Sequence, residues 1–134
     1  MRQPRPRVRL AQVKRSKYGA NPTVMGGIRF DSAKEARRYG ELLLLEEAGQ
    51  IWDLELQPRF TLFVPSTSGY VKRAVKALAQ QGLFKVGEYR ADFKYYDSNT
   101  QTYIVEDVKG FKTPLYRWKK RHVEAQYGIQ IREV

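Results

Sequence analysis

From residue 32 onward, polar and apolar positions fall into a helical rhythm. Ala36, Tyr39, Leu43 and Glu47 follow one stripe, and Leu42, Leu44 and Leu45 widen it. Ser32-Ala33-Lys34-Glu35 has the pattern of a capping box, and Gly49 is a good stop, which predicts a helix over 32–48. The rhythm then shortens to two. Ile51–Leu56 and Arg59–Val64 read as strands interrupted by Gln57-Pro58. Tyr89, Ala91, Phe93 and Tyr95 alternate with Arg90, Asp92, Lys94 and Tyr96, while Tyr103, Val105, Asp107 and Lys109 alternate with Ile104, Glu106 and Val108. Asp97-Ser98-Asn99-Thr100 between these two runs is turn chemistry, so they form a hairpin. Thr113-Pro114 opens a second helix that runs to about Tyr127, with Gly128 as its stop and a closing strand over 129–134. Gly26-Gly27 predicts a small hairpin within 23–30. Residues 66–70 read as loop, and 71–81 as a basic, helix-compatible insert. Helix, strands, hairpin, helix and strand in this order predict helices packed on a mixed β-sheet, an α/β sandwich.

Two strands of the hairpin each carry a carboxylate where an apolar residue would be easier to bury. A loop of four residues, Ser98 to Gln101, pairs Asp97 with Thr102 and sets Asp92 opposite Asp107. Directly opposed Cβ atoms lie roughly 5 Å apart, within reach of one shared metal ion. A five-residue loop would instead set Asp92 opposite Glu106. Lys109 lies on the face of Asp107, which favours Asp107 and leaves Glu106 in reserve. Two carboxylates and a lysine gathered on one sheet suit a divalent-metal site that cuts phosphodiester bonds. In that role Asp92 and Asp107 hold the metal, while Lys109 orients or deprotonates water, or stabilises charge on the phosphate.

Composition narrows the chemistry. The 134 residues contain no cysteine and one histidine, His122. Disulfides, zinc-thiolate sites and multi-histidine sites are therefore excluded, and oxygen ligands favour Mg2+ or Mn2+. The absence of cysteine is compatible with a reducing cytoplasmic setting. No run approaches the ~20 apolar residues of a membrane span, and the basic N-terminus lacks the apolar stretch of a secretory signal. The net charge is +11. Much of it sits in residues 1–17, read as a flexible arm ahead of a single domain over 18–134, and includes Arg5, Arg7 and Arg9. A second basic run includes Lys112, Lys119 and Lys120. Such a balance predicts salt-sensitive attraction to polyanions, with nucleic acid as the expected partner. Tyr116, Trp118 and His122 read as packing residues rather than base-stacking groups.

Asp92 and Asp107-Val108-Lys109 resemble the motif of the PD-(D/E)XK nuclease superfamily. The run from Phe30 to Tyr39, followed by Leu56-Gln57-Pro58-Arg59-Phe60, is similar to a small phage-encoded family within it, and more distantly to the TnsA-type transposon endonuclease. Ala91 stands where the superfamily often has a proline. The resemblance covers about residues 17–134. It implies a restriction-endonuclease-like α-β-β-β-α-β core, Glu35 as an upstream acid near the metal, Gln57 as a further site residue, and magnesium-dependent cleavage of DNA leaving a 5′-phosphate. A phage-encoded protein of this kind would act in the cytoplasm of the bacterial host. Glu35 is also the fourth residue of the Ser32 cap, which competes with a catalytic role. The rival expectations are a dimeric resolvase of branched DNA, such as Holliday junctions, a non-catalytic DNA-binding protein on the same fold, and an RNA nuclease.

Overall fold

The computed structural model describes residues 21–65 and 82–134. The arm over 1–17 and the expected insert over 71–81 lie outside the described residues, as do Arg5, Arg7 and Arg9. Among the described residues the elements are β1 (Thr23–Met25), β2 (Ile28–Phe30), α1 (Ala33–Glu47), β3 (Ile51–Leu56), β4 (Arg59–Pro65), β5 (Leu83–Arg90), β6 (Phe93–Asp97), β7 (Thr102–Asp107), α2 (Pro114–Tyr127) and β8 (Ile131–Glu133). Gly26 and Gly27, at φ 59° and 80°, make the tight turn that joins β1 to β2.

A four-stranded sheet runs β3-β6-β7-β8. The first two pairings are antiparallel, and β7 pairs with β8 in parallel. β4 and β5 pair as a separate two-stranded ribbon. The run through Ala91 and Asp92 is thus two strands, where the sequence pattern predicts one. The break faces Gln57-Pro58 in the paired run. Two backbone bonds span it, from Gln57 N to the Asp92 carbonyl at 2.8 Å and from Ala91 N to the Pro58 carbonyl at 3.1 Å. Proline has no N–H for the ladder, and Gln57 takes a left-handed φ of 53°. Both strands therefore change direction at the same level. Counting each bent strand once, the order from α1 onward, after the β1-β2 hairpin, is α-β-β-β-α-β, a mixed α/β core flanked by helices.

The bend also moves the apolar side chains from one layer to the other. Phe93 and Tyr95 pack with Phe30, Ala36, Leu42 and Ile51 beneath α1. Tyr89 and Ala91 pack with Leu62, Val105, Val123 and Ile131 beneath α2. The packed line on α1 runs through buried Ala36 and Leu42 and partly buried Tyr39 and Leu45, along an i+3 row that slants across the helix. Leu43 and Leu44, which the stripe counts as apolar face, are consequently 38% and 67% exposed. Ser32 caps α1 by accepting from Glu35 N, and Thr113 caps α2 by accepting from Tyr116 N. Gly128, at φ 63°, ends α2 in the left-handed conformation its sequence predicts. No helix among the described residues is long and apolar enough to cross a membrane.

Candidate active site

The hairpin register pairs Asp97 with Thr102 and Phe93 with Glu106. Asp92 N donates to the Glu106 carbonyl at 3.0 Å, so Asp92 sits at the bend beside Asp107. Its Oδ2 accepts from Val108 N at 2.6 Å. Asp107 is fully buried. The Tyr89 hydroxyl donates to its Oδ2. The Lys109 ammonium stands 2.6 Å from Oδ1, but at angles that make no hydrogen bond, which leaves Oδ1 without a directed donor. The same ammonium lies 4.9 Å from the centre of the Tyr116 ring. Tyr116 in turn donates to Glu133 at 3.0 Å. Tyr89 and Tyr116 thus hold the carboxylate and the lysine from the α2 side. Sequence reading missed both, because a tyrosine in an apolar strand or helix face signals packing before hydrogen bonding.

Two clefts open on this pair. One, of about 240 Å³, is lined by Glu35, Gln57, Asp92, Phe30 and Phe93. The other, of about 290 Å³, is lined by Tyr89, Arg90, Asp107, Lys109, Tyr116 and Lys119. Glu35 is held by its own cap: Ser32 Oγ donates to Oε1 at 3.1 Å, and Asp31 N to Oε2 at 3.3 Å. Burial raises its carboxyl above the ordinary range, against those two bonds. Glu35 therefore caps the helix and also lines the Asp92 cleft.

Glu106 does not join the pair. It points to the α1 layer, fully buried, where Arg38 grips it through Nε and Nη2, both at 2.8 Å. Tyr95 donates to it at 2.6 Å, and Arg132 lies at 3.5 Å. Burial alone would raise this carboxyl, but the Arg38 and Tyr95 bonds outweigh it and hold Glu106 below its usual range. As a reserve metal ligand it is corrected: strand alternation turns it away from Asp92. Lys112 and Lys120 also stand elsewhere, both paired with Glu133. Lys119 does line the Asp107 cleft, its ammonium donating to the Glu88 carbonyl at 2.9 Å.

Among the described residues, no three His, Cys, Asp or Glu side chains converge closely enough to hold a metal ion on their own. Two carboxylates do meet, and their chemistry fits a hard cation. Asp107 Oδ1 is a buried oxygen lacking a directed donor. Burial, followed by the charge of Asp107, pushes the Asp92 carboxyl up to about 7, against the Val108 N–H bond. With a raised folded-state pKa, the native state binds more protons than the unfolded chain from about pH 4 to pH 7, so stability falls as pH rises through that window. Asp92→Asn is accordingly expected to stabilise the metal-free protein. The gain should be negligible near pH 4, grow as pH rises to about 7 and be largest above it. Urea unfolding in EDTA at several pH values measures this. A pH-independent difference would remove the charge repulsion from the account.

The fold and site together define a mixed α/β protein with an acid pair, one member buried and one partly buried, flanked by a lysine at a bend in its sheet. Residues 15–133 match the family described as Protein of unknown function (DUF1064). The chain belongs to the DUF1064 family. No curated protein and no solved structure matches it.

Proposed function

We propose that the protein is a magnesium- or manganese-dependent DNA endonuclease of the PD-(D/E)XK type. The observation that carries this reading is Asp92 and Asp107 side by side, with the Lys109 ammonium 2.6 Å from Asp107 Oδ1. Asp92, Asp107 and the Val108 carbonyl are the groups that would hold the ion, with Glu35 on the wall of the same cleft as Asp92. A bound Mg2+ would activate water and stabilise charge developing on the phosphate. The chain itself contributes the rest. The Tyr89 hydroxyl fixes the Asp107 carboxylate, Lys109 offers a proton-bearing nitrogen in the Asp107 cleft, and Lys119 adds positive charge to that cleft. The α-β-β-β-α-β order supports the reading, as does the +11 charge for a DNA partner.

The test is nicking of supercoiled plasmid with Mg2+ or Mn2+ against EDTA. Asp107→Asn is expected to lose nicking at least a hundredfold and to keep salt-sensitive DNA binding. Mg2+ should also raise the melting temperature of the wild type at pH 8 and leave that of Asp107→Asn unchanged. Full cleavage by Asp107→Asn would sink the ligand assignment. A second reading, a non-catalytic DNA-binding protein, is favoured by the ligand set of only two carboxylates. DNA binding without metal-dependent nicking or metal-dependent stabilisation would select it. A preference for four-way junctions, together with a dimer in sedimentation, would select a resolvase.

A further inference from the structure

We propose that the outer face of α2 and the groove beside it form a track for single-stranded DNA leading to the Asp92–Asp107 pair. The destination of the track rests on the nuclease reading, but its own evidence is separate. Leu115, Trp118 and His122 are three and four residues apart and share one helix stripe about 10 Å long. Leu115 lines the cleft of Asp107. Trp118 and His122 wall a larger, mainly apolar groove of about 760 Å³ with Phe63, Pro65 and Leu83. The stripe therefore joins cleft to groove without a gap. It is also open: Leu115 is 62% exposed and Trp118 50%. The packing role that the sequence assigns to Trp118 accounts for only half of its surface.

The local geometry holds the indole in place. His122 Nε2 lies 2.7 Å from the Phe63 carbonyl, which ties the imidazole to β4. Its ring meets Trp118 edge-on, with centroids 5.4 Å apart. A tethered, half-open indole offers a stacking surface at little further entropic cost.

Charge selects the occupant. The helix carries Arg117, Lys119, Lys120 and Arg121 against one acid, Glu124. Arg121 lines the groove, and Lys119 lines the cleft. An apolar protein segment would have to desolvate Arg121 on the groove wall without supplying an acid to pair it. Duplex DNA would pair them, but its bases are stacked away from Trp118. An unpaired strand uses both features, with phosphates on the cations and bases on the aromatic face.

The experiment uses the full chain in EDTA, with Trp52→Phe so that Trp118 is the remaining tryptophan of the two. A short oligo(dT) is expected to quench its emission, and inorganic polyphosphate is not. Trp118→Ala in the wild-type background should weaken oligo(dT) binding roughly ten- to a hundredfold, with Trp118→Phe keeping most of the affinity. Duplex affinity at the same salt should stay within twofold. Equal quenching by polyphosphate, an unchanged oligo(dT) affinity in Trp118→Ala, or an equal loss on duplex would overturn the track. Plasmid nicking is scored separately. A protein that fails to nick but stacks oligo(dT) on Trp118 keeps this surface and loses the nuclease reading.

Discussion

Lys109→Ala is expected to lower magnesium-dependent nicking about 10²- to 10⁴-fold, the usual contribution of a positioned acid–base group. Lys109 is the cation that faces Asp107 Oδ1, at 2.6 Å, and the Tyr116 ring holds its ammonium from the other side. Alanine removes the nitrogen and leaves a buried carboxylate with the Tyr89 hydroxyl as its hydrogen-bond donor. Some stability should be lost with it, so thermal unfolding must accompany the rate measurement. Lys109→Arg keeps the charge but exchanges a rotatable ammonium for a planar fork. It should restore the fold and not the rate. Nicking within tenfold of wild type in folded Lys109→Ala would remove the lysine from the chemistry.

The largest stability effect is expected at Arg38. Its guanidinium meets the buried Glu106 through two bonds of 2.8 Å and Glu41 through a third of 2.7 Å. Removing one partner of a buried pair typically costs about 3–5 kcal/mol, because the other is left charged and dry. Arg38→Ala should therefore lower the melting temperature by about 10 °C or more. The sign with pH follows from Glu106, whose carboxyl is held below its usual 4.5 in the fold. The stabilisation it gives the wild type is present above that value and lost as pH falls through the folded-state pKa. Arg38→Ala should lose this acid-side transition. Replacing both partners with apolar residues, Arg38→Met with Glu106→Leu, should recover most of the loss. A cost below 1 kcal/mol for Arg38→Ala would mean that Arg132 and Tyr95 suffice for Glu106.

Lys109 and Arg38 face neighbouring acids of β7, Asp107 and Glu106, whose side chains sit in different layers, and the sequence discloses the acids and their partners unequally. Alternation alone separates Glu106 from Asp107, and the four-residue turn sets Asp92 opposite Asp107, so the acid pair is legible from local pattern. The helix ends are equally legible, because Ser32, Thr113, Pro114 and Gly128 act within a few residues of themselves. The partners are not. Arg38 and Glu106 are 68 residues apart, and no spacing rule links a helical arginine to a strand acid that far away. The bend at Asp92 is hidden for a similar reason. Residues 83–97 are β-prone throughout, and the interruption is matched by Gln57-Pro58 on the paired run. Leu43 and Leu44 mislead because apolar identity marks a candidate face, while the slant of the packed row decides which members are covered.

The hairpin turn between β6 and β7 has a consequence for how this protein can vary over evolutionary time. Exposed loops are ordinarily where lineages gain and lose residues freely. This turn is exposed, with Asn99 N bonded to Asp97 Oδ1 at 2.8 Å and no site residue near it. Five residues of strand, about 17 Å at the usual rise, separate Asp97 from Asp92. Yet an inserted residue taken into the ladder instead of the loop would slide the pairing and exchange the two faces of one strand. Asp92 would then stand opposite Glu106, and the pair would be dissolved with every one of its members still in the chain. The turn is a length standard for the site, and its conserved property should be its residue count more than its residue identities.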